Sequence, residues 1–158
     1  MPGQKAAELD PQDSEVHSNL GITLYHSGKL EEAEASYKKA IELKSKYVEA
    51  HSNLSVIQQE LGKLDEAEAS CRKAIALKPD FAEAHGSLGV VLRETDRLEE
   101  AETSFKKAIV LKPDYIEAYS NLGITLHSLS RLEEAETSYK KAITLKPDYA
   151  QAYSNLGI

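Results

Sequence analysis

The chain has 158 residues, 28% of them charged and 41% apolar, with 26 acidic against 19 basic side chains and a formal charge of −7. That excess of acid repels a phosphate backbone and argues against nucleic acid, while the longest apolar run, Leu88 to Leu92, falls far short of the ~20 residues that cross a bilayer and argues against a membrane. A single cysteine, Cys71, excludes an internal disulfide and any multi-cysteine metal site; with no signal-peptide pattern in residues 1–13, it points to the cytoplasm.

One pattern recurs every 34 residues, dividing the chain into units 14–47, 48–81, 82–115 and 116–149. Residues 1–13 read as the end of a preceding unit and 150–158 as the start of a following one. Each unit predicts two helices. In the first, Ala50, Leu54, Ile57 and Leu61, or Ala118, Leu122, Thr125 and Leu129, form a stripe at i, i+3/i+4 spacing that seeks a partner. Asp80, Asp114 and Asp148 precede Glu83, Glu117 and Gln151 by three residues, the spacing of a capping box at the start of the first helix. Pro79, Pro113 and Pro147 end the helix before it.

The second helix opens at Leu-Glu/Asp-Glu-Ala and closes at Ala-Ile-x-Leu-Lys. Its pairs Glu34 and Lys38, Glu68 and Arg72, Glu102 and Lys106, and Glu136 and Lys140 stand four residues apart, the mark of a solvated face. Small residues recur where helices must approach: Gly21, Ser55, Gly89 and Gly123 in the first helix, Ala33, Ala67, Ala101 and Ala135 in the second. Leu20, Leu54, Leu88 and Leu122 fill the seams with Tyr37, Cys71, Phe105 and Tyr139. Cys71 replaces an aromatic residue, which marks it as a small buried hydrophobe.

These residues carry a resemblance. Leu20-Gly21, Ala33, Tyr37 and Ala40, then Leu88-Gly89, Ala101, Phe105, Ala108 and Pro113, then Leu122-Gly123, Ala135, Tyr139, Ala142 and Pro147, resemble the tetratricopeptide repeat over essentially the whole chain. The second unit departs most, with Ser55, Gln58 and Cys71, and Ser45-Lys46 replaces Pro-Asp at the first junction, where the weakest coupling between repeats is expected. The resemblance implies an all-α, right-handed superhelix of antiparallel helix pairs, in which first helices line a concave groove that holds a peptide or protein.

On that reading the groove is written by rows of first-helix residues. Asn19, Asn53, Ser87, Asn121 and Asn155 form one, and an amide offers donor and acceptor together, as the backbone of an extended peptide requires. The segments His-Ser-Asn-Leu and Tyr-Ser-Asn-Leu resemble repeats of the O-linked N-acetylglucosamine transferases, in which an asparagine ladder contacts substrate backbone; Ser87 interrupts it here. Ile22, Val56, Val90 and Ile124 supply an apolar floor. The row Tyr25, Gln59, Arg93 and His127, and beside it His26, Glu60, Glu94 and Ser128, vary between units as specificity positions would.

Other chemistry is argued down. Where family co-chaperones clamp a terminal carboxylate, this chain has Ser18, Ser52, Gly86, Ser120, the Ile/Val row and a Glu row. His17, His51 and His85 are one repeat apart and cannot converge on one ion, so no metal is expected. No catalytic constellation or phosphate loop stands outside the repeat, so neither enzyme activity nor a cofactor is expected. The leading expectation is a protein-interaction scaffold for an extended peptide or partner helix. Two alternatives stand beside it: the substrate-recruiting arm of a larger transferase, and a solenoid whose uncapped ends, with Tyr153 and Leu156, associate head to tail.

Overall fold

The computed structural model describes residues 13–146 and Asn155. Among the described residues it is all helix: α1 (Ser14–His26), α2 (Leu30–Leu43), α3 (Val48–Glu60), α4 (Leu64–Leu77), α5 (Ala82–Glu94), α6 (Leu98–Leu111), α7 (Ile116–Ser128) and α8 (Leu132–Leu145). The chain divides into two compact units, one up to Pro79 and one from Asp80. In the first, α1 packs on α2, α2 on α3 and α3 on α4; in the second, α5 packs on α6, α6 on α7 and α7 on α8. The sequence readings that fall on residues 1–12, Pro147, Asp148, Tyr149, Gln151, Tyr153 and Leu156 lie outside the described residues.

Helix starts differ from the capping-box expectation. Asp13 does cap α1, its carboxylate accepting from the amides of Glu15 at 2.9 Å and Val16 at 3.3 Å. At α5 and α7, however, the N-cap residues are Phe81 and Tyr115, with no side-chain cap bond, so Asp80 and Asp114 stand one position too early to act. The aromatic residue wins the position by packing: Tyr115 lies against Gly86, where an added Cβ would come 2.8 Å from its hydroxyl. Burial pushes that hydroxyl's pKa up to about 12.

The turn inside each pair is a Schellman closure. In the first, Gly28 N–H donates to Tyr25 O at 3.0 Å and Lys29 N–H to Leu24 O at 2.9 Å. It requires a left-handed residue, supplied by Gly28 (φ 76°) and Gly62 (φ 78°) in the first unit but by Asp96 (φ 62°) and Ser130 (φ 62°) in the second. Only glycine adopts that conformation without steric cost.

Packing explains the small residues of the first helices. An alanine Cβ at Gly21 would come 2.8 Å from the Tyr37 ring, and one at Gly89 would come 2.6 Å from Phe105. In the second repeat the ring is gone, and Ser55 fits beside the fully buried Cys71. Ser55 Oγ donates to Ser52 O at 2.6 Å, and Cys71 lies beside it. The Ser55 and Cys71 departures are therefore one coupled change, a larger first-helix residue matched to a smaller second-helix one. Burial pushes the Cys71 thiol up to about 11, so it stays protonated and inert.

The charge pairs of the second helices form, with one correction. Glu136 and Lys140 are exposed as expected. Glu34 and Glu102 are instead buried. Besides Lys38, Glu34 takes Lys63 Nζ at 2.7 Å, and besides Lys106, Glu102 takes Arg131 Nη1 at 2.6 Å. Each cation comes from the turn of the following repeat, so these carboxylates tie repeats together. Burial works to raise the Glu34 carboxyl's pKa, but bonds from Lys63, Lys38 and Gln58 outweigh it and hold it below the usual range.

The junction at Ser45-Lys46 lies within the first unit and is bridged by that Glu34–Lys63 pair. The His51 ring also meets Ser45 O at 2.9 Å. Tyr119, at the matching position of the second unit, donates its hydroxyl to Pro113 O at 3.0 Å. Histidine and tyrosine interchange in this row because both reach a turn carbonyl.

Candidate functional site

In the first unit the groove rows converge. Ile22 and Tyr25 of α1 and Asn53 and Val56 of α3 line one pocket of about 270 Å³, together with His26, Tyr37 and Ile57. Ile22 is 40% exposed at its mouth, an apolar side chain held in water. Tyr25 is half-buried and its hydroxyl donates to Glu60 Oε1 at 2.7 Å, linking the ends of the two first helices. That bond, with burial and the nearby charge, raises the Tyr25 pKa above its ordinary value. Burial pushes the Tyr37 hydroxyl up to about 12, against the opposing influence of the half-buried Asn53 beside it. Asn19 is exposed on α1, and Gln59 is half-buried on α3.

Sequence reasoning missed Tyr37 as a pocket wall because it sits on the second helix and is 2% exposed. The available signal was its hydroxyl: a core ring with an oxygen turns that oxygen towards polar neighbours, and Asn53 lines the same pocket.

In the second unit Ser87, Val90 and Arg93 of α5 and Asn121 and Ile124 of α7 are half-buried, and His127 is exposed. Arg93 Nη1 donates to Asn121 Oδ1 at 3.0 Å. Asn121 also supplies its carbonyl to Thr125 Oγ1 at 2.9 Å. With Phe105 in place of a tyrosine, no ring hydroxyl faces Asn121, and its amide turns to Arg93 instead. His127 and Asn155 line a second pocket of about 370 Å³ with Leu132, Ala135, Glu136, Tyr139 and Lys140. The asparagine row is thus not a set of equivalent amides. Asn121 holds an internal partner in Arg93, whereas Asn53 lies beside the Tyr37 hydroxyl.

Among the described residues, no group of three or more His, Cys, Asp or Glu converges as metal ligands would, and no helix is long and apolar enough to cross a membrane.

Antiparallel helix pairs that restart every 34 residues, each closed by a left-handed turn and packed through a small first-helix residue, define a helical-hairpin repeat protein. Family models described as TPR repeat or tetratricopeptide repeat match residues 3–35, 23–62, 48–81 and 80–148. The chain belongs to the tetratricopeptide-repeat family.

No curated protein sequence matches it. Among solved structures, MamA is similar at 28% identity over 94% of this chain and 87% of that one, with a TM-score of 0.83. A thermophilic TPR protein in Thermus thermophilus is similar at 25% identity over 99% and 88%, with a TM-score of 0.83. The first TPR of Spaghetti, bound to the HSP90 peptide SRMEEVD, is similar at 26% identity over 77% and 96%, with a TM-score of 0.73.

Proposed function

We propose that this chain is a non-catalytic interaction scaffold that holds an extended peptide or partner helix on the face formed by its first helices. The observation that carries this reading is the pocket of the first unit. Apolar Ile22, Val56 and Ile57 meet there with the hydroxyl of Tyr25 and the amide of Asn53, the mixture that seats one apolar side chain while bonding the backbone beside it. The similar TPR of Spaghetti with its bound HSP90 peptide supports peptide as the ligand class. Within the first unit Asn19 and Asn53 serve as backbone contacts, and within the second Ser87, Asn121 and Asn155 do so.

Panning a randomised peptide library against the chain tests this. Retained peptides are expected to lose about tenfold in affinity with Asn53→Ala plus Asn121→Ala, the scale of one or two lost hydrogen bonds. Unchanged affinity for every retained peptide would remove the amide row from the site.

A further inference from the structure

We propose that Tyr25, Tyr37 and Glu60 make the pocket of the first unit a seat for an alkylammonium side chain, that of a lysine or methylated lysine in a bound peptide. The inference rests on the reading that this face holds peptide, and it names the side chain that enters. It is carried by the rings and the carboxylate that meet there.

At about 270 Å³ the pocket is smaller than the ~300–1,000 Å³ of sites for drug-sized ligands and suits a single side chain. Ile22, Val56 and Ile57 supply apolar surface for the methylenes of a lysine stem. The rings of Tyr25 and His26 meet at 66° with their centroids 5.5 Å apart, and Tyr37 adds a third ring. A tyrosine face attracts an ammonium within about 6 Å of its centre. The chain makes such pairs internally: Lys44 Nζ stands 4.7 Å from the centre of the Tyr47 ring, and Lys112 Nζ 4.9 Å from that of Tyr115.

Charge points the same way. The Tyr25 hydroxyl ties the pocket wall to Glu60, whose carboxylate oxygen accepts at 2.7 Å. Buried Glu34 and Glu102 each take two cations, whereas among the described residues no lysine or arginine comes within 4.0 Å of the exposed Glu60. Among those residues none lines the pocket either. An anionic side chain would meet Glu60 in repulsion, and a purely aliphatic one would leave the carboxylate and the ring faces unused. The net charge of −7 also favours the approach of a cation.

The second unit builds the cation in. There Arg93 stands at the position matching Tyr25, half-buried, and its Nη1 donates at 3.0 Å to Asn121, which matches Asn53 of the pocket. Ser128 matches Glu60. Where the chain carries its own cation the carboxylate is gone; where it keeps the carboxylate, the cation is left to a ligand.

Peptide libraries randomised around a fixed central lysine, trimethyllysine or norleucine, the last being the lysine stem without its ammonium, are panned against the full chain. Wild type is expected to enrich a cationic library about tenfold over norleucine, as ring faces backed by a carboxylate allow. Lysine over trimethyllysine identifies an unmodified partner that donates to Glu60; trimethyllysine over lysine identifies a methylated one held by the rings. Tyr25→Gln with Glu60→Ser, which borrows the residues standing at matching positions 59 and 128, should abolish the preference. Glu60→Lys, which places a competing cation at an exposed position, should abolish it too, with thermal melts confirming that both variants fold. Equal retention of cationic and norleucine libraries, or a preference that survives either variant, overturns the seat alone. Retention of no peptide at all overturns it together with the peptide-binding reading.

Discussion

The two units place the same helices at the same spacing and resolve the same positions differently. At the end of its first helix the first unit has Tyr25 bonded to Glu60, a neutral donor with an internal acceptor. The second has Arg93 on Asn121, a cation on an amide. At the turn the first unit has glycine and the second has Asp96 and Ser130 in a conformation that costs L residues. In the seam one repeat of the first unit has exchanged glycine and ring for Ser55 and Cys71, whereas both repeats of the second keep a glycine. The differences teach that the scaffold tolerates change only in matched sets.

The seam gives the largest expected effect. Gly89→Ala drives a Cβ into Phe105 and should cost about 3 kcal/mol by chemical denaturation. Ser55→Ala, beside the smaller Cys71, should cost below about 1 kcal/mol. Equal losses would erase the contrast between the seams. Next, Cys71→Tyr should destabilise by about 2 kcal/mol through overpacking, and adding Ser55→Gly should restore most of it. Strict additivity of the two substitutions would show that they are not a coupled pair.

The acid limb sharpens what the units share. Because the Glu34 and Glu102 carboxyls are held below their ordinary values, the unfolded chain binds more protons there. Their stabilisation is present above the normal carboxylate range and is lost as pH falls through the depressed value. Glu34→Gln and Glu102→Gln should each cost about 1 kcal/mol at neutral pH and flatten the decline towards acid, as pH-dependent melts would report. The smallest effect is at the turns, where Ser130→Gly should gain about 0.5–1 kcal/mol and Gly62→Ser should lose a similar amount. Opposite signs would mean that the left-handed turn is not what distinguishes the units.

Period, helix pairing and the burial of Ala50, Leu54 and Ile57 were legible in the sequence, because a repeat shows its periodicity several times over and a buried stripe must follow the helical turn. Helix starts were less so. Asp80 before Glu83 satisfies a local rule, yet Phe81 takes the cap position, and a tertiary contact such as Tyr115 on Gly86 is invisible to local spacing. The burial of Glu34 was hidden for the same reason: Lys38 shows at four residues, but Lys63 arrives from 29 residues away. For the candidate site, the rows named the first-helix side chains but not Tyr37, and alignment by period treated Asn53 and Asn121 as copies although a tyrosine lies beside one and an arginine bonds the other.

The small residue of each first helix meets the ring or thiol of its own repeat: Gly21 with Tyr37, Ser55 with Cys71, Gly89 with Phe105, Gly123 with Tyr139. Each fit is therefore closed within a single copy and travels with it when the copy is duplicated. The bonds from Glu34 to Lys63 and from Arg93 to Asn121 run from one copy to the next, so they record which neighbour a copy has acquired. Shuffling the copies would leave every seam intact and rewrite every link. In such a chain the fit inside a hairpin is carried by the copy, whereas the links between hairpins are set by the order in which the copies stand.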